Sequence, residues 1–297
     1  MTTRGAAVAA ARVQTRRRAA ELWSRLPLHS AVVLISLLWM VPTLGLLVSS
    51  FRPPAAVTSS GWWTAFEPPF AFTLENYRSV LTTYNMWGSF LNSLLVTIPA
   101  TVMPILIAAF AAYAFAWMRF PGRNLLFFTV VGLLVVPLQT TLIPVLKVFT
   151  TLGLSGTFLA IWLAHTGYGL PFAIYLLRNF FAALPRDMFE SAHIDGASPP
   201  TVFFRLVLPT SVPALASLAI FQFLWVWNDL LVALIYLGGR PDVAPMTVTI
   251  SNLVNSLGQG WQLLTAAAFI SMLLPLLIFF SLQQYFVRGI LAGSVKG

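Results

Sequence analysis

Long apolar runs separated by short polar breaks dominate the chain, and the runs are too long for a soluble core. A bilayer interior about 30 Å thick needs about 20 apolar residues per helix. Six stretches qualify, at roughly residues 30–50, 89–112, 124–146, 157–178, 212–236 and 264–286. The pattern predicts an all-α polytopic membrane protein with six transmembrane helices. Pro137, Pro144 and Pro171 fall inside these stretches and predict kinks or breaks. The longest break, about residues 51–88, holds Pro53-Pro54, Trp62-Trp63, Pro68-Pro69 and Trp87. Its aromatics fit membrane-interface anchoring and contact with an external partner equally well.

One break differs in kind. Arg186, Asp187, Glu190, His193, Asp195 and Arg205 crowd between Pro185 and Leu208, flanked by apolar runs. Such an island must sit in water. Pro185 can open a helix where a missing N–H costs nothing, and Asp187 and Glu190 suit the positive helix start. Asp195-Gly196 supplies an exit, because glycine accepts the left-handed cap, and Pro199-Pro200 bars simple continuation. A second short helix is expected from about Pro200 to Val207, ended by Pro209. The result is an exposed helix–turn–helix, a handle for another protein to grip.

Charge sets the orientation. Of 17 basic residues, six arginines (Arg4, Arg12, Arg16, Arg17, Arg18, Arg25) precede the first apolar run. Placing that end in the cytoplasm puts 13 basic residues inside and leaves 4 outside: Arg52, Arg78, Lys147 and Arg240. The positive-inside rule therefore makes both termini and the charged island cytoplasmic. An arginine cluster beside a span reads as topology and anionic-lipid contact rather than a nucleic-acid arm, despite the net charge of +9. The first run exceeds a signal-peptide core and no A-x-A site follows it, so cleavage is not expected. The chain divides into a basic segment (1–29), a membrane domain (30–287) and a tail (288–297).

Composition agrees, with 58% hydrophobic and 8% charged residues and a mean hydropathy of +0.84. The absence of cysteine excludes disulfides and thiolate metal sites. His29, His165 and His193 lie on different segments without metal-binding spacing, so no metal site is expected. No G-x-x-x-x-G-K-[ST] phosphate loop occurs, so the chain has no visible means of hydrolysing ATP. Gly153-Leu154-Ser155-Gly156 matches the G-x-S-G of six-span intramembrane serine proteases. Those enzymes need a histidine on the sixth span, and residues 264–286 contain none. His165 would stand about 15 Å along the same helix, too far for a dyad. Ser155 is expected instead to cap the fourth span.

Asn92, Gln139, His165, Gln222, Asn228 and Asp229 are the polar residues inside spans, where such groups are expensive. Carboxylates and amides accept hydroxyl hydrogen bonds, and indoles stack on apolar sugar faces. Gln139, Trp225, Asn228 and Asp229 are therefore candidates for a solute pathway. The competing reading of Asp229 is a structural hydrogen bond to another helix.

Glu190-Ser191-Ala192, then Gly196-Ala197, then Leu208-Pro209 resemble the EAA loop of ABC importer permeases, with Ser191 where the family has alanine. Further stretches resemble the smaller membrane subunit of the maltose-type carbohydrate importers. They are Ala111–Phe115 with Arg119–Arg123, Pro137-Leu138-Gln139, Leu142-Ile143-Pro144, Leu170-Pro171-Phe172, Trp227-Asn228-Asp229 and the Gly289–Gly297 tail. The similarity runs from about residue 70 to the end. It implies a type I ABC importer permease fold that pairs with a second homologous permease subunit. It also implies two ATPase subunits, which bind ATP and magnesium so that this chain needs no cofactor, and an extracytoplasmic solute-binding protein that delivers a sugar. The loop at about 179–211 would be the coupling loop, with Glu190, Ser191, Ala192, Asp195, Gly196, Ala197, Leu208 and Pro209 meeting an ATPase. Gly293, Lys296 and Gly297 are implied as a second contact at the ATPase interface. An importer for another solute is the alternative. The serine protease is weaker because its sixth-span histidine is missing, and a stand-alone carrier because it leaves the charged island unexplained.

Overall fold

The computed structural model describes residues 3–253 and 259–292, with side chains for 25–253 and 259–283; among these every regular element is helical. The chain divides into two units, Met1–Thr73 and Leu74–Gly297. In the first, α1 (Thr3–Ser50) contributes the apolar stretch Arg25–Ser50, long enough to cross a membrane. A short helix α2 (Pro54–Ser59) and a 3₁₀ turn (Trp62–Phe66) follow. Arg52 is buried and organises them. Its guanidinium donates to the carbonyls of Ala56 (3.0 Å) and Ser60 (3.2 Å) and to the hydroxyls of Ser60 (2.6 Å) and Thr64 (3.2 Å). A fork of fixed donors suits such converging acceptors.

The second unit begins with α3 (Glu75–Thr82) and the long α4 (Met86–Trp117). Next come α5 (Arg123–Gly132), a 3₁₀ turn (Leu133–Val135), α6 (Leu138–Thr151) and α7 (Phe158–Ala182). The charged island folds as α8 (Arg186–Ile194), α9 (Pro199–Val202), a π-helical segment (Phe203–Val207) and α10 (Leu208–Thr210). Then α11 (Val212–Trp227), α12 (Leu231–Leu237), α13 (Met246–Ser251) and α14 (Trp261–Ala292) complete the chain. Among the described residues, four helices are long and apolar enough to span a membrane, or up to six if each of two bent pairs is one span.

The structure has the expected break at Pro137 and departs from the predicted elements elsewhere. The 124–146 stretch is a broken pair, with Arg123–Val135 and Leu138–Thr151 meeting at 103° around Pro137. Pro137 lacks an N–H and pushes Val136 into extended backbone (ψ 117°), so the helix must restart. Pro144 and Pro171, by contrast, lie within continuous helices. The 212–236 stretch is interrupted at residues 228–230. Finally, Pro209 does not end the second helix of the island. The wide π turn before it accommodates a residue that cannot make the regular i→i−4 bond, and the segment stops at Ser211. There Pro199–Thr210 and Val212–Trp227 meet at 73°.

The axis of this unit is the packing of α4 on α7. Ala100, Ala108 and Ala112 on one, and Ala160, Ala164 and Ala173 on the other, are buried, and small side chains let the backbones approach. Gly169 of α7 makes room for a third helix, since a Cβ there would lie 2.8 Å from the Gln222 side-chain amide of α11. That amide donates from α11 to the Ala100 carbonyl of α4 (3.0 Å), tying three helices at one point. Outward-facing positions remain strongly apolar, as a lipid-facing surface requires: Leu125, Phe128 and Val135 are all mostly exposed.

Candidate functional site

The island is a closed, self-capped handle. Its turn is a Schellman motif: the Gly196 N–H bonds the His193 carbonyl (3.0 Å) and the Ala197 N–H bonds the Ala192 carbonyl (2.9 Å). Gly196 sits at φ +73° with open space where a Cβ would be, so the position requires glycine for its backbone angle and not for room. The motif is completed by an apolar contact between the third residue from the helix end and the second beyond it. Here those two are Ala192 and Ala197, both half-buried and packed on the same apolar cluster. The small residues of the E-S-A and G-A pattern thus have a physical reason. They let the turn close onto the membrane domain.

The rest of the pattern faces out. Glu190, Ser191, His193, Asp195 and Gly196 are exposed, and Ile194 projects with 84% of its surface free. Leu208 is half-buried against the apolar cluster and Pro209 is exposed. Glu190, His193 and Ile194 of this exposed face line an open groove of about 820 Å³ together with Tyr113, Trp117, Arg119, Arg123 and Arg186. Trp117 at the end of α4 stacks on Phe189 (centroids 3.5 Å apart, planes at 17°) and donates its indole N–H to the Phe181 carbonyl (2.8 Å). Tyr113, one turn earlier, donates its hydroxyl to the Pro199 carbonyl (3.2 Å). Neither aromatic was singled out in the sequence as a handle contact. The i, i+4 spacing of Tyr113 and Trp117 was the available signal.

The four solute-pathway candidates do not form one site. Asp229 follows α11, and its carboxylate accepts from the Val232 (3.3 Å) and Ala233 (3.0 Å) N–H groups at the start of α12. It therefore satisfies donors that a helix start leaves unpaired. Asn228 is exposed and donates back to the Leu224 carbonyl (2.7 Å), while Trp225 is partly exposed. Gln139 stands apart on α6, exposed and outside these hydrogen bonds.

Near Asp229 stands His165, fully buried on α7 with its Nε2 3.7 Å from the carboxylate, beyond hydrogen-bond distance, neither ring nitrogen hydrogen-bonded, and its ring edge-on to Trp225 (5.1 Å). Beside them runs a hydroxyl chain. Thr141 bonds Tyr168 (3.1 Å), Tyr168 and Tyr236 share a 2.7 Å bond, and Tyr236 reaches the Leu142 carbonyl (3.4 Å). This knot joins α6, α7 and α12, and Thr141, Tyr168 and Tyr236, which tie it, carry no distinguishing pattern in sequence. Ser155, in the protease-like motif, is exposed and lies outside these interactions. The cap of α7 is Thr157, whose side chain accepts from the Ala160 N–H (3.3 Å), so the expectation for Ser155 is corrected by two residues. Among the described residues no group of acidic residues and histidines could hold a metal. Gly293, Lys296 and Gly297 lie outside the described residues.

Comparison with known proteins identifies the class to which this helical membrane unit with its exposed charged handle belongs. Residues 69–292 match the family model described as "binding-protein-dependent transport system inner membrane component". The chain belongs to that family and is a multi-pass membrane protein with the ABC permease fold. It is 62% identical to the osmoprotective compounds uptake permease protein GgtD of Synechocystis sp., over 96% of this chain and 97% of that protein. It is 43% identical to the alpha-glucoside transport system permease protein AglG of Rhizobium meliloti, covering 95% and 99% of the two chains. Among solved structures, a chain of a bacterial ABC transporter involved in importing the acidic polysaccharide alginate shares the fold. The TM-score is 0.63 at 16% identity, with 92% of this chain and 99% of that one covered.

Proposed function

We propose that this chain is a permease subunit of an ATP-driven, binding-protein-dependent carbohydrate importer, and that the handle couples it to an ATPase. One observation carries the coupling assignment. The exposed face bearing Glu190, Ser191, His193, Ile194 and Asp195 is mounted on a turn closed by its own backbone and packed onto the membrane domain. Such a part transmits force when pushed. In this reading two ATPase subunits bind ATP and magnesium, and a second homologous permease completes the pathway. An extracytoplasmic binding protein delivers solute, and the Gly293–Gly297 tail makes a second ATPase contact. The handle and both termini face the cytoplasm, where ATP is.

The chain does no bond chemistry. Closure of the ATPases would displace the handle, and helices packed on it would convert that displacement into exposure of a cavity to the opposite side. The motion is a two-state equilibrium, biased at one end by nucleotide and at the other by the loaded binding protein. Assignment to carbohydrates is supported by the relative named for alpha-glucosides. The relative named for osmoprotective compounds fits if the shared substrate is a hydroxyl-rich solute of the glucoside type.

Two measurements test this reading. Gentle detergent extraction from the native membrane, followed by mass spectrometry, is expected to recover an ATPase with a phosphate-binding loop and a second polytopic permease. Recovery of the chain alone, under conditions that preserve known complexes, refutes the coupling assignment. Titration of the cognate binding protein is expected to give heat with alpha-glucosides and none with charged osmolytes, and the reverse outcome transfers the system to another solute class.

A further inference from the structure

The handle is covalently joined to α7 and α11, but neither junction looks built to carry load. It leaves α7 through three residues, Ala183 to Pro185, and enters α11 across the 73° bend at Ser211. The firm grip comes from α4, which is remote in sequence. Phe110, Tyr113 and Trp117 recur at i, i+3 and i+7 and so share one helical face. Phe110 stacks on Phe203 (4.8 Å) and meets Phe204 edge-on (6.0 Å) in the π-helical segment. Tyr113 bonds the Pro199 carbonyl at the start of α9, and Trp117 stacks on Phe189 of α8. Both limbs of the handle are therefore held by a single aromatic stripe.

The opposite end of the same helix is equally committed. Ser89 shares a 2.7 Å hydrogen bond with Thr249, and the Asn92 amide donates to the carbonyls of Asp242 (3.1 Å) and Ala244 (3.2 Å). The Ser93 hydroxyl accepts from the Met246 N–H (2.8 Å). Ser89, Asn92, Ser93 and their partners thus tie the far end of α4 to residues 242–249. Between the two anchorages α4 is one continuous helix despite Pro99 and Pro104, and its 32 residues span about 48 Å at 1.5 Å per residue. That length exceeds the bilayer interior.

We propose that α4 is the rod that carries motion of the handle across the membrane to the 242–249 segment, and that Phe110, Tyr113 and Trp117 are positioning residues for that transmission. The inference rests on the coupling reading above. Absence of cysteine from this chain makes the test direct. Pro241→Cys, at an exposed position beside the anchored segment, is spin-labelled in the complete transporter, with the other subunits freed of cysteine. Addition of ATP and loaded binding protein is expected to change the label's spectrum.

Trp117→Ala is expected to abolish that change and to lower solute moved per ATP hydrolysed by about tenfold, within the usual range of inter-site coupling, with recovery of the complex unchanged. Trp117→Phe keeps an aromatic ring for the stack and is expected to restore most of both signals, which a loss of mere stability would not predict. An undiminished label response in Trp117→Ala overturns the rod. Should that variant fail to assemble, the pair Asn92→Ala with Ser93→Ala at the far end decides, and a persisting response there is equally fatal. Gly196→Pro separates the two readings. If it too leaves the response intact, the coupling assignment falls; if only the α4 variants do, the rod alone falls.

Discussion

The handle and the polar knot each contain a histidine and at least one carboxylate, yet the surroundings of these side chains are opposite. In the handle, Glu190, His193 and Asp195 point outward and the backbone closes the fold without them. In the knot, Asp229 and His165 are buried or nearly so, and the carboxylate is occupied by the first turn of α12. Ionisable residues among apolar runs are functional candidates by default. What separates a contact surface from a structural joint is where the side chain's hydrogen bonds end. Those of Asp229 end inside its own chain.

The sharpest way to break this contrast is Gly196→Pro. Proline cannot adopt φ +73°, and the substitution removes the N–H that bonds His193, a combined cost of about 3 kcal/mol or more to the turn. Membrane insertion should persist while uptake and stimulated ATP hydrolysis are lost, as measured by solute accumulation and phosphate release. Full uptake would mean that the handle need not keep its shape. Next comes Gly169→Ala. The added Cβ would displace the Gln222 amide 2.8 Å away and break its hydrogen bond to the Ala100 carbonyl, so a loss of about 1–3 kcal/mol is expected as a fall in the melting temperature of the purified protein.

Asp229→Ala should cost about 1–2 kcal/mol through the lost cap of α12, read in the same thermal assay. An unchanged midpoint with sharply reduced uptake would return Asp229 to the solute pathway. The smallest effect belongs to Asp242, whose carboxyl is held below its ordinary value by hydrogen bonds from the exposed guanidinium of Arg240 (3.1 and 2.5 Å). A lowered carboxyl stabilises the fold above its unfolded value and loses that contribution as pH falls through the folded one. Both groups are solvent-screened, so Asp242→Asn should leave the melting temperature at neutral pH within error.

Much of this architecture was legible in sequence because its causes are local. Apolar runs of bilayer length gave the helices, Pro137 gave the break in the third stretch, and Gly196 gave the turn. The second limb of the handle was misjudged at Pro209 because a π-helical segment is set by packing of Phe203 and Val207 in the core, which no local propensity reveals. Residues 228–230 were read through for a related reason. The apolar pattern continues across them, and only the carboxylate of Asp229 turning onto Val232 and Ala233 marks a second helix start. The grip of Trp117 on Phe189 joins residues 72 positions apart, and such pairings are settled by topology.

The Schellman turn between Ala192 and Ala197 has one more consequence. Because two short-range hydrogen bonds and the packing of both alanines on the apolar cluster fix it, the handle has little freedom left to lose on binding. A segment that folds only on binding gives up part of its gross interaction energy to ordering, whereas a preorganised one keeps nearly all of it. In the coupling reading proposed above, a small protruding knob such as Ile194 would therefore need only a modest socket to hold through repeated cycles of push and release.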